Sequence, residues 1–245
     1  IFTSTVSEAS DQNDKTIHSI PTFDYRYFLR KKTNDGALPE EKKTGMQFLI
    51  RFINTFPFNI IIGEGGLLYF WRLIRKGQRS IHQNGITHLY SSFRPFADHY
   101  AAYILKKRNP GIFWIADFRD LVIDPHYNHI YFPRFHHRVL KRIYKSADLL
   151  TTVSDGLAKH LYAYNSNVLT VKNGITNIPR EILPTHCKFF KIAYTGSMFL
   201  DKRNAKPIFI ALRDLIDENK IDESDVRVIY AGKDGQTWAD IASEF

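Results

Sequence analysis

The sequence is short of sulfur, with one cysteine, Cys187, and two methionines in 245 residues. A single cysteine excludes an internal disulfide and any cysteine-rich zinc module, and it fits a reducing, cytoplasmic setting. Long apolar runs are also missing. Nothing approaches the ~18 residues of a membrane-spanning helix, and residues 1–20 lack the basic start and apolar core of a secretory leader. A soluble protein is expected, or at most one attached to a membrane surface. The G-x-x-x-x-G-K-[ST] phosphate loop, the G-x-G-x-x-G dinucleotide fingerprint and the G-x-S-x-G hydrolase elbow are all absent. His126, His129, His136 and His137 lack ligand spacing and have no cysteine nearby, so no metal site is expected.

Acidic residues are scarce in one part only. Residues 1–176 hold 24 Lys+Arg against 14 Asp+Glu, a balance of +10, whereas residues 177–245 hold 10 against 11, a balance of −1. All of the excess positive charge therefore lies in the first part, which implies an anionic partner there. Hydrophobic content of 44% and charged content of 24% are those of a globular chain, enough to give each of two modest domains a core.

The pattern along the chain is mostly strand followed by helix. Ile1–Thr5 reads as a strand entered already under way, and the polar stretches Ser10–Lys15 and Lys31–Glu41 read as loops. Glu41–Phe56 and Leu67–Gln83 have helical periodicity. In the second, Leu67, Leu68, Trp71 and Ile74 share a side while Arg72, Arg75, Lys76 and Arg79 fall largely elsewhere, and Asn84-Gly85 stops it. The alternation then becomes regular: strand Ile86–Ser91, helix Pro95–Lys107, strand Ile112–Ala116, helix Phe132–Ser146, strand Leu149–Val153, helix Asp155–Tyr164 and strand Val168–Val171. Such spacing implies parallel βαβ units. Thr176–Cys187, with Pro179 and Pro184, reads as a linker. A second α/β pattern follows with strand Lys191–Thr195, helix Ala205–Asn219 and strand Val226–Ala231. The expected division is a domain over residues 1–175, then linker and second-domain start over residues 176–245. A doubly wound domain needs roughly 100 residues, so the second one is expected to be cut short.

Open parallel sheets bind ligands beyond the carboxyl ends of their strands, and three segments fall there. Asp117-Phe118-Arg119-Asp120 follows the strand Ile112–Ala116. Its two carboxylates and guanidinium can orient a hydroxyl or supply a base, and an Arg–Asp ion pair bracing the loop, or Asp117 capping the turn, accounts for the same residues. Tyr194-Thr195-Gly196-Ser197 precedes Asp201-Lys202-Arg203-Asn204 and a helix. Glycine permits close backbone approach, and Lys202 and Arg203 at a helix start favour a diphosphate; a solvated surface pair is the more ordinary reading. In Thr152-Val153-Ser154-Asp155-Gly156, Ser154 or Asp155 serves as a helix cap, and Asn173-Gly174 serves as a positive-φ turn. Gly63-Glu64-Gly65-Gly66 reads as a turn between helices, and His99 reads as a packed or surface residue more readily than a crevice one.

The helix over 134–145 places Arg134, Arg138, Lys141, Arg142 and Lys145 on one face, with Phe135, Val139, Leu140, Ile143 and Tyr144 opposite. A solvated outer face explains it, and peripheral contact with an anionic membrane is the alternative.

Taken in order, Trp114-Ile115-Ala116-Asp117-Phe118-Arg119-Asp120, Ser146-Ala147-Asp148, Thr152–Gly156, Asn173-Gly174 and Tyr194–Ser197 resemble the group 1 (family 4) glycosyltransferases over roughly residues 86–232. The resemblance implies an α/β chain of GT-B type, with a Rossmann-like parallel-sheet first lobe and the start of a second Rossmann-like lobe. It also implies retaining transfer from a nucleotide-sugar donor to a saccharide or lipid-linked acceptor. Neither metal nor cofactor is implied, since the nucleotide-sugar is a substrate. Gly196, Ser197, Lys202 and Arg203 would face the donor diphosphate, and Asp117, Arg119 and Asp120, the catalytic candidates, would line the acceptor side. Many relatives have Gly-Arg where this chain has Gly196-Ser197, which shifts weight onto Lys202 and Arg203. The glycine-rich turn of the family's first strand and its Glu-x7-Glu donor segment are not in the sequence, so the chain alone is expected to be nearly inactive. A non-catalytic module docking on anionic glycan, lipid or a partner protein is the alternative. No nucleic-acid module is recognised, so nucleic acid is not expected as a partner.

Overall fold

The computed structural model describes residues 2–5, 18–21, 44–63, 65–123, 130–174, 187–198 and 205–245. The polar stretches Ser10–Lys15 and Lys31–Glu41, the linker from Thr176 (Cys187 apart), and the segment Asp201–Asn204 lie outside the described residues. The chain divides into two units, Ile1–Ile175 and Thr176–Phe245.

In the first unit, β1 (Phe2–Thr5) and β2 (His18–Pro21) form a parallel pair. Among the described residues three helices follow: α1 (Thr44–Asn54), α2 (Phe58–Ile61) and α3 (Gly66–Asn84). Then β3 (His88–Phe93), α4 (Phe96–Arg108), β4 (Phe113–Phe118), α5 (Pro133–Ser146), β5 (Leu149–Thr152), α6 (Asp155–Tyr162) and β6 (Val168–Thr170) alternate. The four strands form one parallel sheet in the order β3-β4-β5-β6. The fold is α/β and Rossmann-like, and strand and helix limits lie within two residues of those the alternation predicts. Gly85 ends α3 at φ 60°, a left-handed stop that glycine takes without steric cost.

Sequential parallel strands joined by right-handed crossovers place all their helices on one side of the sheet. The side chains confirm that placement. Trp114, Ala116, Phe118, Leu150 and Thr152 point to the helical side and are buried, in one core with Val139, Leu140, Ile143 and Tyr144 of α5. Parallel sheets are normally covered on both faces. Here the other face of β3–β6 is partly open among the described residues, with Tyr90 61% exposed and Phe113 and Leu169 also exposed.

The side of α3 carrying Leu67, Leu68 and Trp71 is not the buried one. Tyr69 and Gly77 face inward, where Tyr69 donates to Asp98 Oδ1 at 2.8 Å, and a Cβ at Gly77 would come within 2.8 Å of Leu105 Cδ1. A small residue at 77 thus sets how closely α3 approaches α4. Behind β4, Asp148 Oδ2 accepts from Lys106 Nζ and the Trp114 amide, both at 2.7 Å, and Lys106 also reaches the Ile112 carbonyl at 2.6 Å. Burial pushes the Asp148 carboxyl up, but the Lys106 ammonium and the Trp114 amide outweigh it and hold it below its usual range. Among the described residues no helix is long and apolar enough to cross a membrane.

The second unit begins with β7 (Phe190–Thr195), which pairs in parallel with β8 (Val226–Ala231). Between them lie α7 (Lys206–Asp217) and a short 3-10 turn, Glu223–Asp225, and after β8 comes α8 (Gly235–Ala242). Its small core joins Met198, Ala205, Trp238 and Ile241 to Tyr194, Phe209, Val228 and Tyr230.

Deep under β3 and β4, Trp114 Nε1 donates to Ser91 Oγ at 2.9 Å, and Ser91 Oγ lies 2.7 Å from His99 Nδ1. Indole nitrogen only donates, so Ser91 Oγ accepts from Trp114 and keeps its own hydrogen and a second lone pair for the contact with His99. His99 is fully buried, packed at 4.1 Å against the Phe118 ring. Burial pulls its pKa down to about 3, with Asp117 opposing weakly. The unfolded chain therefore binds one more proton than the folded chain between that value and about 6.5. The stability from neutral His99 is complete above pH 6.5 and is lost as pH falls, at about 1.4 kcal/mol per unit. Urea unfolding between pH 6.5 and 4.5 should show this slope, and His99→Gln should flatten it. The Asp148 contribution fades only below its ordinary carboxylate range, outside that window.

Candidate functional site

At the carboxyl edge of the first unit's sheet, the parallel register sets Ser92 beside Asp117 and Asp117 beside Thr151. All three point to the open face, because alternate residues share a face and equivalent partners align. Ser92 Oγ donates to Asp117 Oδ2 at 2.9 Å, and Thr151 Oγ1 donates to Asp117 Oδ1 at 2.7 Å. One buried carboxylate thus fastens the ends of β3, β4 and β5. Tyr90 lies two residues before Ser92 on the same face. Burial raises its hydroxyl pKa, and hydrogen bonding to Asp117 adds to the rise, so the phenol stays protonated as a donor.

Arg119 and Asp120 follow at the surface. Among the described residues the Arg119–Asp ion pair that the sequence suggested is formed with neither Asp117 nor Asp120. Arg119 NH2 instead donates to Asn173 Oδ1 at 2.7 Å, tying the loop after β4 to the segment after β6. Its remaining N–H groups and the Asp120 carboxylate are exposed. Together these groups form a strip of donors and acceptors of the kind that can orient hydroxyl groups, with the exposed Tyr90 ring beside them. Asn173-Gly174 does not make the expected positive-φ turn, since neither residue is left-handed; the asparagine side chain anchors Arg119 instead. Ser154 caps α6, accepting from the Leu157 amide at 3.3 Å. Asp117 likewise does not cap the turn. His99 faces the core rather than a crevice, and His126 and His129 lie outside the described residues. Beneath the end of β3, a cavity of about 60 Å³ is lined by Asn59, Phe93, Arg94, Val122 and His136 among others. That is room for about two waters. Among the described residues no group of three metal-ligating side chains gathers.

In the second unit the chain leaves β7 through Gly196 at φ 127°, a conformation L-residues rarely take. A Cβ there would meet nothing within 4 Å, so the approach to this main chain is open. Below it the support is dense. The Gly196 amide donates to the Ala231 carbonyl at 3.1 Å, and Tyr230 donates to the Gly196 carbonyl at 2.8 Å. Asp234 Oδ2 accepts from the Met198 amide at 2.8 Å. Gly232 packs so tightly on this corner that a Cβ would strike the Gly196 carbonyl oxygen. The result is an exposed turn at a strand's carboxyl end, held rigid from one side. Lys202 and Arg203 lie outside the described residues.

Around this candidate site the structure places Tyr90, Ser92, Thr151, Tyr230 and Asp234, which the sequence did not single out, beside Asp117, Arg119, Asp120, Gly196 and Ser197, which it did. The signal for the first three was hydroxyls two residues apart on one strand and at the end of another, which becomes meaningful only once the register is known.

No protein-family model matches this chain, and no curated protein does. Among solved structures, the chain is similar to the UDP co-structure of S. aureus MnaA, with a TM-score of 0.34 and 16% sequence identity. The match covers 71% of this chain and 48% of that one, so the chain spans about half the length of that structure.

Proposed function

We propose that the protein transfers a sugar from a nucleotide-linked donor to a saccharide or lipid-linked acceptor, in a GT-B arrangement and with retention. The second unit contributes Gly196, Ser197, Lys202 and Arg203 to the donor diphosphate. The first unit contributes Arg119 and Asp120 to the acceptor, with Asp117 fixing the ledge on which they stand. The observation that carries this reading is the Gly196 corner: an unobstructed left-handed glycine at a strand's carboxyl end, braced by Tyr230 and Asp234. Main chain bared in this way suits a diphosphate. The ordered motifs shared with group 1 glycosyltransferases support the same reading.

A second reading, binding without catalysis, is favoured by Asp117, whose two oxygens both already accept hydroxyls. A carboxylate so engaged braces better than it takes a proton.

Titration calorimetry with UDP and GDP tests the donor corner. Gly196→Val should weaken binding at least ten-fold, because its Cβ strains the turn and obstructs the approach. Lys202→Ala and Arg203→Ala should each cost about ten-fold, the scale of one charge-assisted hydrogen bond. Unchanged binding in Gly196→Val, or no nucleotide binding at all, removes the donor assignment.

Asp117→Asn should lower the unfolding free energy by about 1–3 kcal/mol, since an amide cannot accept on both sides. Arg119→Ala should stay within about 0.5 kcal/mol of the parent while reducing transfer across a panel of nucleotide-sugars and acceptors. Nucleotide binding with no sugar consumed from any donor would select the second reading.

A further inference from the structure

The outward side of α3 has an unusual composition. Its inward arc, centred on Tyr69, Leu73 and Gly77, packs against the core and α4. The opposite arc carries Leu67, Leu68 and Trp71 near the amino end, exposed by 55%, 55% and 51%. Arg75, Arg79 and His82 then continue the same stripe in steps of three or four residues. The helix contains no acid, and among the described residues none of Arg72, Arg75, Lys76 or Arg79 has an ion-pair partner. Arg75 lies over the Trp71 ring at 5.0 Å, and Arg108 of α4 borders the same shallow groove. Just before the helix, Ile61 and Ile62 are exposed as well.

Solvent normally meets charge of both signs on an outer helix face. Here it meets aliphatic side chains and one tryptophan at one end and unopposed cations at the other. The cations call for an anionic surface. The aliphatic end distinguishes which one, because leucine and isoleucine gain nothing from a soluble polyanion but gain by entering the boundary between headgroups and acyl chains. Tryptophan, with an apolar body and one N–H, suits that boundary too. The basic face of α5 compares poorly: Arg138, Lys141 and Arg142 are exposed, but Val139, Leu140, Ile143 and Tyr144 are committed to the core. Apart from Phe132 and Phe135 at its start, α5 has little to insert.

We propose that the outer face of α3 docks on an anionic lipid surface, inserting Leu67, Leu68 and Trp71 while Arg72, Arg75 and Arg79 engage headgroups. This reading stands whether or not the protein transfers sugar.

Trp71 is its own reporter, since Trp114 and Trp238 are buried. The 245-residue chain is mixed with vesicles of phosphatidylcholine containing about one-third phosphatidylglycerol, and with pure phosphatidylcholine vesicles. Co-sedimentation with the anionic vesicles alone is expected, together with a blue shift in tryptophan emission that Trp71→Phe abolishes. Each cation near such a surface is worth roughly a five-fold change in partitioning. Neutralising Arg72, Arg75 and Arg79 together to glutamine should therefore weaken binding about a hundred-fold, with the circular dichroism and Tm unchanged. The matching change at Arg138, Lys141 and Arg142 should matter much less. The proposal is overturned if the chain stays in the supernatant, or if it binds heparin or DNA but not vesicles. It is equally overturned if the α5 variant loses binding while the α3 variant keeps it.

Discussion

The constraint on which the first unit depends is the handedness of its crossovers. Strands β3 to β6 lie side by side in chain order, and right-handed connections then stack α4, α5 and α6 on one side. That single fact buries Trp114, Ser91 and His99 together and leaves Tyr90, Ser92, Asp117 and Thr151 on the other face. The same four strands therefore supply a core from one set of alternate residues and a polar ledge from the other. Neither set can shift by one residue without exchanging the two roles.

Much of this was legible in the sequence, and the reason is local. Alternating strand and helix signals, the Asn84-Gly85 stop and the Ser154 cap are written within a few residues of where they act. What was not legible lies across strands. Asp117 accepts from Ser92 and Thr151, 25 and 34 residues away, and only the parallel register brings them level. Arg119 reaches Asn173 across 54 residues in place of its neighbouring acids. Periodicity on α3 identified apolar positions but not which way they turn. Gly77, which carries no hydrophobic signal, decides the inward arc by letting Leu105 approach.

The uneven charge of the chain has a structural counterpart. Among the described residues the cations of α3 and α5 form no ion pairs, whereas the polar groups at the carboxyl edge of the sheet are paired with one another. Long-range attraction and close-range geometry are thus assigned to different surfaces of the first unit. One can draw in an anionic partner through its field, and the other fixes the positions of hydrogen-bonding groups.

The contact between Gly232 and Gly196 carries a consequence for how this chain can vary. Gly196 needs its own backbone conformation, but Gly232 is held to glycine by the carbonyl that Gly196 presents and by the Tyr230 phenol bonded to it. The two positions form a linked pair. A side chain at 232 would displace the turn after β7 even with Gly196 intact, so substitutions at the two sites should show epistasis rather than independent effects. A side chain at 232 is therefore compatible only with a turn at 196 whose carbonyl has moved aside.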